Sequence, residues 1–244
     1  MPYPNRYSDV YISCDLPNSD KLTKLTGIGV WSYHGAQALC ISTGWGSSSN
    51  KTEATVRFTS EKALECGCHT FKKLTKMADD ERKHCITESI AHSTRGRLED
   101  GREYGSTVLL AAMNKGYLLT YRCGLGGFII LTESGDIKSD SAEFGLMVPK
   151  EKHLRIQSML GYNTNSKYIE SKIYPLSDIK SIIVANTVTF FDLLCRMYDL
   201  ERIKELMKNA SQEALDKFIN DYKFFHPNEP SAIGVLVKNI KTEN

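Results

Sequence analysis

Nothing in the sequence is long enough or simple enough to act as a linker. Its seven prolines are scattered over 244 residues, and no Ser/Gly-rich or Pro-rich stretch divides it. A chain of this length with 41% hydrophobic residues can bury one sizeable core, so a single domain is expected. Charge of one sign is also missing. Lys and Arg number 31 against 29 Asp and Glu, interspersed, for a net charge of +2. That leaves no broad cationic face for phosphates and excludes nucleic acid as a partner. Long apolar runs are absent too: IIVANTVTFFDLL (182–194) is too short and too polar to span a bilayer, and the N-terminus shows no basic-then-apolar leader. No membrane association and a cytoplasmic protein are the expectations.

A disulfide framework is lacking as well, because seven cysteines is an odd number and their spacing is irregular. Free thiols follow. Cys66, Cys68, His69, His84 and Cys85 are metal-ligand types, but C-x-C lacks the two-residue spacer of a zinc knuckle, and packing of a helix is the competing reading. No repeat of 20 to 50 residues is present, which excludes solenoids and propellers.

What is present is β signal in LTGIGVWSYH (25–34), ALCIST (38–43), STVLLAAM (106–113), GYLLTYRC (116–123), FIILTE (128–133), KSIIVANT (180–187) and AIGVLVKNI (232–240). Several are continuous apolar runs, as in strands buried on both faces. Asn114-Lys115-Gly116 joins two of them as a hairpin, giving a meander over 106–133. Ala63, Leu64, Cys68, Phe71, Leu74 and Met77 recur at helical spacing and predict a long helix over 59–98. A second helical region covers 190–226, with Leu193, Leu194, Met197, Leu200, Ile203, Leu206 and Met207 before a break at Asn209 to Ser211, and Leu215, Phe218 and Ile219 after it. Strand runs segregated from helix runs indicate an α+β layered fold rather than a doubly wound sheet.

The Gly124-Leu125-Gly126-Gly127 turn lies between two strand-like runs, so glycine here serves a tight turn. A phosphate cradle would open a helix, which makes nucleotide binding remote. The surrounding GSTVLLAAMNKGYLLTYRCGLGGFIILTESGD resembles the central segment of the metal-dependent serine/threonine phosphatase (PPM, type 2C) family, which carries G-[ST]-T/C-A and then A-N-x-G-D-S-R-A. Gly105-Ser106-Thr107 matches the first element and Gly124 the glycine of the second, but Leu125 stands where that family has Asp, and Gly126 and Gly127 where it has Ser and Arg. SIIVANTVTFFDLL resembles L-I-L-A-S-D-G-L-W-D-V-L with Thr187 at the aspartate. PSAIGVLV resembles the D-N-[IV]-[ST]-x-x-[VI]-V ending with Ser231 and Ala232 at Asp-Asn, and RIQSMLG resembles R-x-x-G. For the first metal motif, V-x-D-G-H-G-G, two stretches compete. GVWSYHGAQ has Ser32 at the aspartate, and CISTGWGSSSN has Thr43; the second is preferred because the first then fills the opening strand.

The resemblance covers the chain from about residue 25. It implies a 1–24 N-terminal extension packing on a 25–244 phosphatase-like domain, with two antiparallel β-sheets packed as a sandwich flanked by helices. Family members hold two divalent cations largely through carboxylates. With Thr43, Leu125, Thr187 and Ser231 at the acidic positions and Gln37 near the expected phosphate-binding arginine, the resemblance implies a pseudophosphatase with no catalytic residues, no metal and no cofactor. The remaining acids Asp136, Asp140, Asp178 and Asp192 read as solvated. The alternative is an active or weakly active phosphatase with a metal site rebuilt through acids such as Asp136 or Asp192.

Asp15-Leu16-Pro17, Gly27-Ile28-Gly29 and Thr43-Gly44-Trp45 resemble the pseudophosphatase that binds the TGF-β-activated MAP kinase kinase kinase. They imply a monomeric signalling adaptor or activator whose partner is a kinase of that type. Lys72, Lys73 and Lys76 read as a solvated helix face, His84, His92 and His153 as surface histidines, and Phe190-Phe191 and Phe224-Phe225 as helix packing. The sequence does not locate a partner site.

Overall fold

The apolar runs become the inner strands of two five-stranded antiparallel sheets in the computed structural model, which describes residues 8–15, 26–46, 49–95, 104–141, 149–150, 153–154, 169–192, 200–225 and 231–239. The strands are β1 (Ser8–Asp15), β2 (Thr26–Tyr33), β3 (Ala36–Gly46), β4 (Tyr104–Asn114), β5 (Tyr117–Cys123), β6 (Gly127–Thr132), β7 (Ile137–Ser141), β8 (Pro149–Lys150), β9 (His153–Leu154), β10 (Ile169–Pro175), β11 (Ile179–Ala185) and β12 (Ser231–Lys238). The first sheet runs β1-β12-β11-β6-β7 and the second β10-β5-β4-β3-β2, with β8 and β9 forming a separate pair. The helices are α1 (Ser49–His69), α2 (Phe71–Leu74), α3 (Asp79–Arg95), α4 (Thr187–Asp192), α5 (Leu200–Lys208) and α6 (Gln212–Phe225).

Alternation along the inner strands explains the layering. On β4, Val108, Leu110 and Ala112 face one apolar cluster with Ala63, Leu64, Phe71, Ile86 and Ile90 of the helices. Leu109, Ala111 and Met113 face a second cluster, which is shared with the other sheet. A third cluster joins Ile183, Ala185, Ile233 and Val235 to Ile203, Met207, Leu215 and Phe218. The result is helix, sheet, sheet, helix, the α+β sandwich expected.

Two expectations need correction. The single long helix over 59–98 is three helices beginning at Ser49, interrupted at Thr70 and again before Asp79. Between the meander and KSIIVANT, where no strand is expected, β7 and β10 form edge strands. In the N-terminal extension, Ser8–Asp15 is a full strand paired along its length with β12. Within the 190–226 helical region, residues 193–199 lie outside the described residues, as does the RIQSMLG segment (155–161).

Candidate functional site

The two sheets meet at one end through the turn 124–126, which carries the chain from β5 in the second sheet to β6 in the first. The cross-strand register collects the sequence-named positions there. In the second sheet Thr26 pairs with Thr43 and Thr43 with Thr107, one residue from the Val108↔Cys123 pair that precedes the turn. In the first sheet Gly127 pairs with Ala185 and Ala185 with Ile233, while Ser231 pairs with Asp15. Thr43, Leu125, Thr187 and Ser231 therefore gather at the same end of the sandwich. Ser32, the competing position for the first motif, pairs with Gln37 beside the β2–β3 hairpin, at the opposite end of that strand pair.

Hydroxyl groups line the second-sheet side. Thr59 on α1 donates to the Thr55 carbonyl at 2.8 Å, receives the Ser106 hydroxyl at 2.8 Å and lies 3.2 Å from the Ser42 hydroxyl. Ser42 in turn donates to the Thr107 carbonyl at 2.9 Å. The Thr43 hydroxyl is 3.2 Å from that of Thr26, and the Thr43 N–H donates to Thr107 Oγ1 at 3.2 Å. These hydroxyls satisfy one another, as buried polar groups must.

On the first-sheet side Leu125 is buried, with 8% of its surface exposed. Gly126 holds φ at 108°, and a Cβ added there lies 2.5 Å from Leu109 Cδ1 and 2.9 Å from the Ala185 carbonyl oxygen. Only glycine fits that turn. Thr187 opens α4, whose Phe190 N–H donates to the Asn186 carbonyl at 2.8 Å. Ser231 opens β12 and is buried. Three hydroxyls and an isobutyl group bring no negative charge to this end.

One residue that the sequence did not single out is Arg122. Alternation on β5 and its cross-strand partner Leu109 point it between the sheets, and it is 3% exposed. Its Nη2 donates to Glu170 Oε2 at 2.9 Å, while Nε and Nη1 have no hydrogen-bond partner among the described residues. Burial alone would raise the Glu170 carboxyl. Arg122 and Lys172 more than offset this and hold it below the usual glutamate range. The signal was an arginine two residues before Gly124, where the family pattern has Asn.

The other named residues lie elsewhere. Gln37 is buried at the hairpin end, accepting from the Ser8 hydroxyl at 2.8 Å and donating to Ser32 Oγ at 3.4 Å, so it does not occupy the site. Asp136 sits in the β6–β7 turn and Asp178 just before β11, both at the far end of the first sheet. By backbone pairing Asp140 (opposite Phe128) and Asp15 reach the site end; their side chains, and that of Asp192, lie outside the described residues.

Cys66 and Cys68 are buried in the helix-side core and Cys85 packs against it, while His84 is exposed. Burial pushes the Cys68 thiol up to about 12 and raises that of Cys66. No group of His, Cys, Asp or Glu able to hold a metal occurs among the described residues. Lys72, Lys73 and Lys76 are exposed and Phe190 is buried; the side chains of His92, His153, Phe191, Phe224 and Phe225 lie outside the described residues. No described helix is long and apolar enough to cross a membrane.

No protein-family model matches the sequence, and no curated relative matches it. Solved structures do match in shape. The serine/threonine phosphatase Stp1 from Staphylococcus aureus is 13% identical, with 96% of each chain covered and a TM-score of 0.65. The S. agalactiae serine/threonine phosphatase is 11% identical over 96% of this chain and 100% of that one, with a TM-score of 0.66. Serine-threonine phosphatase 2C from Toxoplasma gondii is 10% identical over 98% and 96%, with a TM-score of 0.62. The chain has the phosphatase 2C fold, and at these identities the likeness is one of fold.

Proposed function

We propose that this chain is a pseudophosphatase: a phosphatase 2C fold without the catalytic metal centre, acting as a protein-binding adaptor that activates a MAP kinase kinase kinase. The observation that carries the reading is Leu125, a buried apolar side chain in the turn where the resembling family places a metal-site aspartate, gathered with the Thr43, Thr187 and Ser231 hydroxyls. Hard divalent cations are held by anionic oxygens, and a binuclear site activates water only when both ions are bound. These four side chains do not fit such a pair. Arg122 supports the reading further, since a buried guanidinium near the same turn opposes a dication electrostatically.

The kinase partner rests on the short resemblances at Asp15-Leu16-Pro17, Gly27-Ile28-Gly29 and Thr43-Gly44-Trp45. The test is to add the purified chain to a MAP kinase kinase kinase and follow autophosphorylation, with phosphoserine-peptide hydrolysis in Mn²⁺ buffer run in parallel. Stimulated autophosphorylation with no phosphate release is expected. Metal-dependent phosphate release overturns the pseudophosphatase reading, and kinases indifferent to the chain overturn the adaptor reading.

A further inference from the structure

Among the described residues each sheet ends in two edge strands, and three of the four carry the features that keep edges apart. β10 bears Glu170, Lys172 and Pro175; β7 is five residues long and bears Lys138 and Asp140; β1 bears Asp9 and Asp15. Charge, proline and shortness each discourage strand addition. β2, the outer strand of the second sheet, is TGIGVWSY: eight residues with no charge and no proline. It is exposed from Val30 to Tyr33, with Val30 at 47%, Trp31 at 38% and Tyr33 at 41%.

Hairpin geometry fixes which backbone groups face outward. The two-residue turn has φ of 48° at His34 and 86° at Gly35 and closes on the Tyr33↔Ala36 pair. Tyr33, Trp31, Gly29 and Gly27 therefore exchange hydrogen bonds with β3, and Ser32, Val30 and Ile28 turn their N–H and C=O groups to the open side.

We propose that β2 is a homodimer edge, on which a second copy of this chain pairs antiparallel, β2 to β2, about a two-fold axis through Val30. The sequence is self-complementary in that register. Val30 meets the partner's Val30 and Ile28 meets the partner's Ser32. On the helix-side face Gly29 meets the partner's Trp31 and Gly27 the partner's Tyr33, so each large ring comes up against the apolar Leu64 and Val56 side chains of α1 that cover these glycines. No like charges face each other across the axis, and a net charge of +2 per chain adds little repulsion. The pairing satisfies the outward amides and covers the exposed rings, which the monomer expected from sequence leaves in water.

The test is light scattering on the full chain over a concentration series, together with three variants. The wild type is expected at twice 27.4 kDa. Val30→Lys places two ammonium groups on the axis and returns the protein to 27.4 kDa with the wild-type circular dichroism spectrum, because Val30 is half exposed in one copy. Val30→Cys places two thiols in a hydrogen-bonded pair with Cα atoms about 5.5 Å apart, within disulfide range, and forms a covalent dimer on oxidation above the wild-type background. Ser32→Cys faces the partner's Ile28 and does not. A wild type that stays monomeric, a Val30→Lys variant that stays dimeric, or Ser32→Cys cross-linking as readily as Val30→Cys overturns the proposal. So does a monomer that takes up another protein's strand at β2.

Discussion

Asn186 and Ala232 are tied to each other by two hydrogen bonds of 3.2 Å, the Asn186 N–H to the Ala232 carbonyl and the Ala232 N–H to Asn186 Oδ1. Each residue adjoins a sequence-named position, Thr187 and Ser231 respectively, so this pair fixes the first-sheet side of the site. Removing the side-chain acceptor leaves a buried N–H unmatched. Asn186→Ala is expected to lower stability by about 2 kcal/mol in urea unfolding. Thr187→Asp, at the first position of α4 where an acid suits the helix N-terminus, is expected to leave stability within about 0.5 kcal/mol of wild type.

Gly126 and Gly116 separate backbone strain from packing. Both have positive φ, but a Cβ on Gly116 meets nothing within 4 Å, whereas one on Gly126 meets Leu109 and the Ala185 carbonyl. Gly116→Ala is expected to cost about 1 kcal/mol for the left-handed conformation alone. Gly126→Ala adds about 1–3 kcal/mol of overpacking. Equal melting temperatures for the two variants would contradict the tight turn.

Glu170 sets an acid-side dependence. Its folded pKa is depressed, so its ion pair with Arg122 contributes stability above the unfolded glutamate value of about 4.3 and loses it as pH falls through the lower folded value. Glu170→Gln is expected to destabilise at pH 7 by about 2 kcal/mol, less than for a fully buried pair because Glu170 is partly exposed, with the deficit shrinking below pH about 4. The double variant Arg122→Leu, Glu170→Gln, which removes both charges of the pair, is expected to be less destabilised than Glu170→Gln alone. Urea midpoints across pH check both.

The inner strands were legible in the sequence because they are unbroken apolar runs: the expected STVLLAAM, GYLLTYRC and FIILTE became β4, β5 and β6 with small shifts at their ends. The edge strands β7 and β10 were not, because IKSDS and IESKIYP carry the charges and proline that protect an edge and erase its apolar signature. The first half of α1 escaped for another reason. Its buried face is built from Thr55, Val56 and Thr59, and the Thr59 hydroxyl bonds to the Thr55 carbonyl and to Ser106, so helical hydrophobic spacing begins only at Ala63. At the site, the turn glycines and the four non-acidic positions were readable one by one. Their gathering at one end needed the register. Arg122 looks like an ordinary strand-face arginine until its burial is seen.

Cysteine reactivity follows from burial. Cys68, with its thiol pushed up to about 12, and Cys40, pushed up further by complete burial, hold almost no thiolate at neutral pH. In the native protein an aromatic disulfide reagent is expected to label the exposed Cys14 and to reach Cys40, Cys66 and Cys68 only after denaturation, as read by peptide mass mapping.

The most direct measurement is calorimetric titration of Mn²⁺ and Mg²⁺ into the wild type and into a Thr43→Asp, Leu125→Asp, Thr187→Asp, Ser231→Asp variant. The account predicts no saturable heat for the wild type. It predicts acquired, saturable binding for the variant, with the cost of burying a carboxylate at residue 125 offset when metal is present. Saturable binding by the wild type, with phosphopeptide turnover that depends on the metal, would contradict it.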